Sequence, residues 1–304
     1  MAIEFSFTGF YDLSIFNTRF MEKFSKNPRY NPGAFPSMTT LVDLINHDQD
    51  IKDVRWAAYL LATVMWETTY PTVVEEPVKN RRGQPVLKNG VPVTVKHKKW
   101  LMTMAPVNEV GHGKGRAYHE PVKVATLADG SVRVTEQDGD QFSVTTGSAI
   151  SAINRGAVLG STDGGAVARA YNGDSGDENA YYGRGYVQLT WWSNYAKSSV
   201  ALNRGLDLLV NPELVLVPAT AFALMSHGMR TGFGFANSHK FADFFGGQNR
   251  DYKHARKMVN GMDHADDIAK LAEGFEAVLL DSRMWVKMAP PIDDAIEGAP
   301  SRWR

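Results

Sequence analysis

Glu67 stands at the end of a predicted helix, in a place that disfavours its ionised form. Apolar side chains recur at helical spacing through residues 53–67, and Pro71 then stops the helix, which puts Glu67 in the last turn. Partial burial and the negative end of the helix dipole both raise the pKa of a carboxyl there. A carboxyl that stays protonated near neutral pH suits a general acid. The residues on this face are Trp56, Leu60, Thr63, Val64 and Glu67.

The same stretch also supplies candidates for a second carboxylate. Glu75 and Glu76 follow Glu67 by eight and nine residues, beyond the corner predicted at Pro71. A carboxylate on a different backbone segment can face Glu67 across a cleft. Taken alone, however, the stretch favours the ordinary alternative, which is a last-turn glutamate that is solvated or paired with an arginine.

Residues 181–195, YYGRGYVQLTWWSNY, carry the side chains that a sugar site needs. Aromatic faces stack on the apolar C–H surfaces of sugar rings, and uncharged amides and hydroxyls bind ring hydroxyls without burying a charge. The alternative is a core loop rich in tyrosine and tryptophan whose polar tips are satisfied. That alternative is difficult to sustain, because Gln188, Thr190 and Asn194 all lie in this short segment.

Composition excludes several classes of protein. The chain has 304 residues, and its 33 basic and 33 acidic residues cancel. A neutral protein has no overall attraction for nucleic acid or an anionic membrane, and we interpret the basic run at 96–99 as a solvated loop. The absence of cysteine excludes disulfides and thiolate zinc sites. The histidines lack the spacing of a zinc protease, so we expect no metal and no cofactor.

No segment has the pattern of a secretion signal or a membrane anchor. The N-terminus, MAIEFSFTGFYDL, has no basic leader before an apolar core, and the longest apolar run, at 57–66, is too short to span a bilayer. We therefore expect a soluble chain made in the cytoplasm. If its substrate lies outside the cell, another factor must deliver the protein.

The elements that must position these side chains are mainly helices, with small β insertions. Asn89-Gly90 between two apolar runs predicts a hairpin over 85–93, and alternation over 121–146 predicts a three-stranded meander. The predicted helices are 12–28, one capped by Ser37 or Thr39, 53–67, a short one near 148–155, 218–229, 251–259, and a last one capped by Asp263.

The segment at 181–195 resembles the signature of family nineteen glycoside hydrolases, which include plant chitinases and many bacteriophage lysins. WAAYLLATVMWETT (56–69) resembles that family's helix with the first catalytic glutamate. The other similar segments are EVGHGKGRAYHEP (109–121), like the Gly/Lys loop of the lysin branch, NPEL (211–214) and MVNG (258–261). The resemblance covers roughly two-thirds of the chain. It implies a lysozyme-like, chitinase-type helical domain.

The resemblance also assigns roles to single positions. Glu67 matches the general acid, and Thr190 matches a catalytic residue that helps to orient the base and its water. Tyr182 and Arg184 match residues that set the shape of the motif, and Arg184 either contacts the sugar or holds its loop against the core through a carboxylate. The residues expected to bind substrate are Tyr182, Arg184, Gln188, Trp191, Asn194, Tyr195 and Asn260.

Two departures from the family's pattern affect the site. The residue before the catalytic glutamate is usually histidine, and here it is Trp66. The family's glutamate pair runs straight into the Gly/Lys loop, whereas here an insertion separates the two. We therefore rank Glu76 first as the second carboxylate, then Glu75, and then Glu109, which immediately precedes the loop.

The resemblance implies an inverting, two-carboxylate glycosidase that cuts the β-1,4 bonds of bacterial peptidoglycan. Such a muramidase or lysozyme-type enzyme would be a phage endolysin released to the cell wall through a holin, or a cell-wall lytic effector delivered by a virion or a secretion machine. One alternative is a chitinase that acts on N-acetylglucosamine polymers. An alternative of another class is a glycan-binding protein that uses the same groove without cleavage.

We expect a catalytic domain over 1–285, with insertions at about 77–108 and 121–178 and a flexible tail over 286–304. The expected partner is the peptidoglycan (or chitin) glycan, with no nucleic acid and no membrane insertion. The insertions are candidates for docking to a virion or a secretion carrier, and we expect the chain to be a monomer.

Overall fold

The computed structural model describes residues 10–114 and 181–284, apart from Leu206, together with short strand and turn segments between 121 and 167. Within these residues the protein is mainly helical and has small antiparallel sheets, as predicted. The α-helices are α1 (Leu13–Phe24), α2 (Phe35–His47), α3 (Val54–Glu67), α4 (Trp192–Ala201), α5 (Asp207–Val210), α6 (Pro218–Thr231), α7 (Phe241–Phe244) and α8 (Ala265–Asp281). Short 3-10 helices cover Pro32–Ala34, Pro212–Leu216, Gly234–Ala236 and His254–Met258.

The strands form small sheets around these helices, and most of the sheets have two strands. The strands over residues 10–114 are β1 (Phe10–Tyr11), β2 (Thr69–Pro77), β3 (Leu87–Lys88), β4 (Val91–Pro92), β5 (Thr94–Met102) and β6 (Val107–Asn108). Those between residues 121 and 167 are β7 (Pro121–Thr126), β8 (Val132–Thr135), β9 (Gln141–Val144), β10 (Ser161–Thr162) and β11 (Gly165–Val167). The last four are β12 (Arg184–Gly185), β13 (Phe245–Gly246), β14 (Asn249–Arg250) and β15 (Arg283–Met284).

Helix α3 is the centre of the core. Every residue from Ala57 to Met65 is fully buried, as expected for a helix that is apolar all round. Helix α8 packs along α3, and the rings of Phe20, Phe24 and Phe275 stack beside them with centroids 4.8–5.6 Å apart. Glu67, the last residue of α3, follows this enclosed stretch and is only partly buried, so this end of the helix reaches the protein surface.

The first and last predicted helices are confirmed as α1 and α8, and each buries an apolar face. Phe16, Phe20 and Phe24 of α1 are buried, and the side chain of Asp12 caps that helix by accepting from the N–H of Ile15. The buried positions of α8 include Ile268, Leu271, Phe275, Val278 and Leu279.

Two predicted helix caps and one predicted helix are wrong. Helix α2 begins at Phe35, before Ser37 and Thr39, because Pro36 fits the first turn, where its missing N–H costs no hydrogen bond. Helix α8 is preceded by His264 in a left-handed conformation rather than capped by Asp263. The helix predicted over 251–259 is a 3-10 helix at His254–Met258.

The hairpin predicted around Asn89-Gly90 is confirmed as β3 and β4, with both turn residues at positive φ. It forms the tip of a longer hairpin that the sequence patterns did not predict. In that hairpin β2 pairs with β5 over nine positions, from Thr69 opposite Met102 to Pro77 opposite Thr94. The sequence patterns predicted a chain corner at Pro71, but Pro71 lies within strand β2. Both strands of a two-stranded sheet are edge strands, and edge strands tolerate proline.

The predicted meander is confirmed, since β7, β8 and β9 pair in sequence order as antiparallel strands. Strand β11 extends this sheet on the other side of β7, and β10 pairs with β11. The predicted helix near 148–155 and the tail over 286–304 lie outside the described residues. None of the helices that the structure describes has the length and apolarity needed to cross a lipid bilayer.

Candidate active site

A cavity of about 360 Å³ lies where α3 reaches the surface. It gathers two carboxylates, two amides, a hydroxyl and an indole from four separate parts of the chain. Its lining residues are Glu67, Glu109, Gly183, Val187, Gln188, Thr190, Trp191, Val259 and Asn260. The predicted helix end and the predicted aromatic segment therefore meet in one place.

The first carboxylate, Glu67, is the last residue of α3, and only 15% of its side chain is exposed. Burial raises the pKa of Glu67, and the nearby cation of Arg256 partly opposes this. Arg256 Nη1 donates to Oε1 of Glu67 over 2.5 Å. Among the described residues no hydrogen bond reaches the other oxygen, Oε2, so that oxygen can hold a transferable proton.

The partner of Glu67 comes from the 3-10 helix that precedes Asn260. The Arg256 side chain is buried, and its Nε also donates to the carbonyl oxygen of Asp263 over 2.9 Å. Two hydrogen bonds on opposite sides of the guanidinium hold it in one orientation. Sequence patterns allowed for an arginine partner of Glu67 but did not identify which arginine, because 189 residues separate the pair.

The second carboxylate of the cavity is Glu109. Strand β6, just before it, pairs antiparallel with β12, so that Asn108 lies opposite Arg184. The Glu109 N–H donates to the carbonyl oxygen of Gly183 over 2.6 Å, and the Gly183 N–H donates to Glu109 Oε2 over 3.0 Å. These reciprocal bonds fix the Glu109 side chain beside the aromatic segment.

Gly183 is required for this close approach. A Cβ at that position would lie 3.0 Å from Oε1 of Gln188 and 3.3 Å from the Cβ of Glu109. Any side chain there would push the amide and the carboxylate apart. Glycine at 183 therefore lets Glu109 and Gln188 converge on the same part of the cavity.

The polar residues of the aromatic segment line the cavity beside Glu109. Gln188 Nε2 donates to the carbonyl oxygens of Val107 and Gly185 over 3.1 and 3.3 Å, which orients its amide. Thr190 and Trp191 also line the cavity, and Trp191 is 42% exposed. Gln188 and Trp191 both have positive φ values, 51° and 74°, and this unusual backbone turns their side chains towards the cavity. Asn260 also lines the cavity, and it is exposed.

Three residues expected to bind substrate are instead in the interior. Arg184 is fully buried, and its Nε and Nη2 donate to Oε1 of Glu213 over 3.1 and 2.9 Å. Its guanidinium also covers the ring of Tyr182 and donates to the Tyr195 hydroxyl over 3.1 Å. Tyr182 is 4% exposed and Tyr195 is fully buried. Enclosed side chains cannot touch a polymer, so these three residues shape the loop, and of the two roles for Arg184 the structure favours the one that holds the loop.

The remaining predicted positions lie away from the cavity lining. Asn194 is half-buried in the first turn of α4 and is not a lining residue. Glu75 and Glu76 lie on β2: Oε1 of Glu75 accepts from the Thr94 hydroxyl, and Glu76 pairs with Lys99 and His97. The hydrogen bond from Lys99 lowers the pKa of Glu76. The second carboxylate that the structure brings to the cavity is therefore Glu109, the last of the three in the predicted order.

Trp66, the departure from the family's pattern, lies beside the site. The guanidinium carbon of Arg29 lies 3.4 Å from the centre of its ring, and the ring of His264 is 4.7 Å away. Trp66 thus contacts the N-terminal part of the chain and the residues before α8, and it is not a lining residue of the cavity.

In the part of the chain that the structure describes, no three histidine or acidic side chains are grouped to hold a metal ion. In comparisons with known proteins, no protein-family model, no curated protein and no solved structure matches the chain.

Proposed function

We propose that this protein is a glycosidase that cleaves the β-1,4-linked glycan strand of bacterial peptidoglycan, with Glu67 as general acid and Glu109 as general base. The observation that carries the proposal is the meeting of these two carboxylates on one cavity. One of them is largely buried and has a raised pKa, as a general acid needs. The resemblance to family nineteen glycoside hydrolases, and the lysozyme-like fold that it implies, are part of the same proposal.

The proposed reaction needs only these groups and one water molecule. Glu67 transfers its proton to the glycosidic oxygen, and the bond between that oxygen and the anomeric carbon breaks, with its electron pair going to the oxygen. The water oxygen bonds to the anomeric carbon from the opposite face, and Glu109 takes the water's proton. In inverting enzymes the two carboxyls stand roughly 6.5–9.5 Å apart to admit that water. Proton exchange with solvent then restores both carboxyls.

The other lining residues have roles consistent with this reaction. The exposed indole of Trp191 offers a face on which a sugar ring can stack, and Asn260 offers an amide to an N-acetyl group. Gln188 presents an amide oxygen whose orientation is set by the two bonds from its nitrogen. We assign Thr190 to orienting the attacking water.

Digestion of purified sacculi, followed by mass analysis of the soluble products, tests the proposal. The unmodified protein should release muropeptides with new reducing ends, and Glu67→Gln should fold normally and release none. Glu273→Gln, which changes an exposed glutamate on α8, is the matched control and should remain active. The identity of the new reducing sugar distinguishes a muramidase from a glucosaminidase.

Other outcomes of this experiment would point to other functions. Cleavage of chitin oligomers without cleavage of sacculi would identify a chitinase. Saturable binding of sacculi with no product at any pH would identify a glycan-binding protein. Retained hydrolysis by Glu67→Gln would remove Glu67 from the role of acid.

A further inference from the structure

The long hairpin formed by β2 and β5 lies between Glu67 and Glu109 in the sequence. We call residues 69–102 the basic arm. Its first residue comes two positions after Glu67, and its last comes seven positions before Glu109. At its base, the backbone N–H and the hydroxyl of Thr103 donate to the carbonyl oxygen of Thr68 over 3.2 and 3.0 Å. The arm is therefore anchored between the two candidate carboxylates.

The basic arm has an excess of positive charge. It contains seven lysine and arginine residues and only two acidic ones, whereas the whole chain has no net charge. The cations are Lys79, Arg81, Arg82, Lys88, Lys96, Lys98 and Lys99. A surface with this excess attracts anions, and it does so most strongly at low ionic strength.

The two faces of the arm differ because side chains alternate along a strand. On one face, Glu76 pairs with both Lys99 and His97, which neutralises part of the charge. On the other face, Glu75 lies opposite Lys96 in the strand register, but its Oε1 accepts from the Thr94 hydroxyl. Lys96 and Lys98 form no ion pair with any described residue, so this face keeps two lysines against one carboxylate.

An exposed aromatic side chain lies on the same face as these two lysines. Trp100 is 56% exposed, and Val73, opposite Lys98 in the strand register, is 61% exposed. This face therefore offers a ligand both an exposed aromatic ring and two cations. An indole face stacks well on a sugar ring, and an ammonium group pairs with a carboxylate.

We infer that the basic arm is a secondary binding surface for the carboxylate-bearing glycan of peptidoglycan, with Trp100 stacked on a sugar and Lys96 and Lys98 paired with stem-peptide carboxylates. This inference rests on the proposed function and adds a substrate preference to it. Chitin is uncharged, so the charge of the arm would favour peptidoglycan over chitin. Because the arm begins and ends beside the cavity, a strand held along it is kept near the two carboxylates.

The test measures binding by the inactive Glu67→Gln protein, so that it does not depend on catalysis. Pelleting with purified sacculi gives an affinity at about 0.05 M and about 0.5 M NaCl. Adding Lys96→Ser and Lys98→Ser should weaken binding about fivefold at low salt and much less at high salt. The matched control, Lys26→Ser with Lys270→Ser, removes the same charge from exposed positions outside the arm and should bind like the parent.

A second variant and two further ligands make the result specific. Trp100→Ala should weaken binding to sacculi at both salt concentrations, and thermal melts should show that every variant is folded. Binding to chitin beads should be insensitive to the two lysine substitutions. Unchanged affinity of the lysine variant for sacculi would overturn the inference. The inference would also be overturned if the two lysine substitutions weakened binding to chitin by the same factor. It would be overturned as well if they weakened binding only to vesicles of anionic phospholipid and not to sacculi. Hydrolysis by the unmodified protein is measured separately, so failure of the inference and failure of the proposed function are distinguishable.

Discussion

Arg256 donates a hydrogen bond to Glu67 over 2.5 Å, and both side chains are largely enclosed by the protein. The pair joins the end of the central helix to the 3-10 helix that precedes Asn260. Removing one member of a buried ion pair leaves the other charge buried without a partner. This usually destabilises a protein more than replacing both members with apolar residues does.

This pair predicts a pH-dependent loss of stability in Arg256→Met. Because burial raises the pKa of Glu67, the stabilising contribution of Glu67 is complete below its unfolded pKa and is lost as the pH rises through its folded pKa. Arg256 limits that loss by lowering the pKa of Glu67. Arg256→Met should therefore reduce the free energy of unfolding by about 3 kcal/mol at neutral pH and by less near pH 4. Urea denaturation at the two pH values measures this difference. Combining it with Glu67→Gln should remove the difference between the two pH values, and a loss equal at both would contradict this explanation.

The choice of base predicts different results for three glutamates. Glu109→Gln should lower hydrolysis of sacculi about 10²- to 10⁴-fold, because an amide cannot accept the water's proton. Glu75→Gln and Glu76→Gln should keep nearly full activity, since both side chains lie on β2 outside the cavity lining. Initial rates of release of reducing ends measure all three. Loss of activity in Glu76→Gln with activity kept in Glu109→Gln would restore Glu76 as the base.

The buried position of Arg184 predicts an effect on stability. Arg184→Met should lower the free energy of unfolding by about 3 kcal/mol, because Glu213, Tyr182 and Tyr195 all lose a hydrogen-bond donor or a stacked cation. Glu213→Gln should cost less, because glutamine keeps an acceptor and the Glu213 side chain is 51% exposed. Urea denaturation measures both. A fully stable Arg184→Met protein with weakened affinity for glycan would show that Arg184 contacts the sugar.

Trp191 and Tyr195 lie close in sequence, yet they should respond to substitution in opposite ways. Trp191→Ala should leave the melting temperature nearly unchanged and weaken glycan binding about tenfold, because its exposed indole lines the cavity. Tyr195→Phe should lower stability and leave affinity unchanged, because its buried hydroxyl donates to the carbonyl oxygen of Tyr182 over 2.8 Å. Thermal melts and titration with soluble muropeptides separate the two effects, and a loss of affinity in Tyr195→Phe alone would reverse these assignments.

Local patterns predicted much of the fold. The central helix follows from Asp53, whose side chain accepts the N–H of Arg55, and from the apolar residues after it. The hairpin at Asn89-Gly90 and the meander over 121–146 follow from turn residues and period-two alternation. The pairing of β2 with β5 was not predicted from the sequence. The prolines and valines of residues 69–77 also fit a chain corner, and β5 begins seventeen residues after the end of β2.

By itself, the sequence determined that a glutamate ends an apolar helix and that residues 181–195 form a segment rich in aromatic and amide side chains. Both are local properties, since helical and strand periodicities are written in neighbouring residues. Only the tertiary structure decided which second carboxylate lines the cavity, which arginine holds Glu67, and that Arg184 and Tyr195 are interior. Those outcomes depend on the register of β6 against β12 and on contacts across 74 and 189 residues. No local pattern encodes them, because they arise only when distant segments pack together.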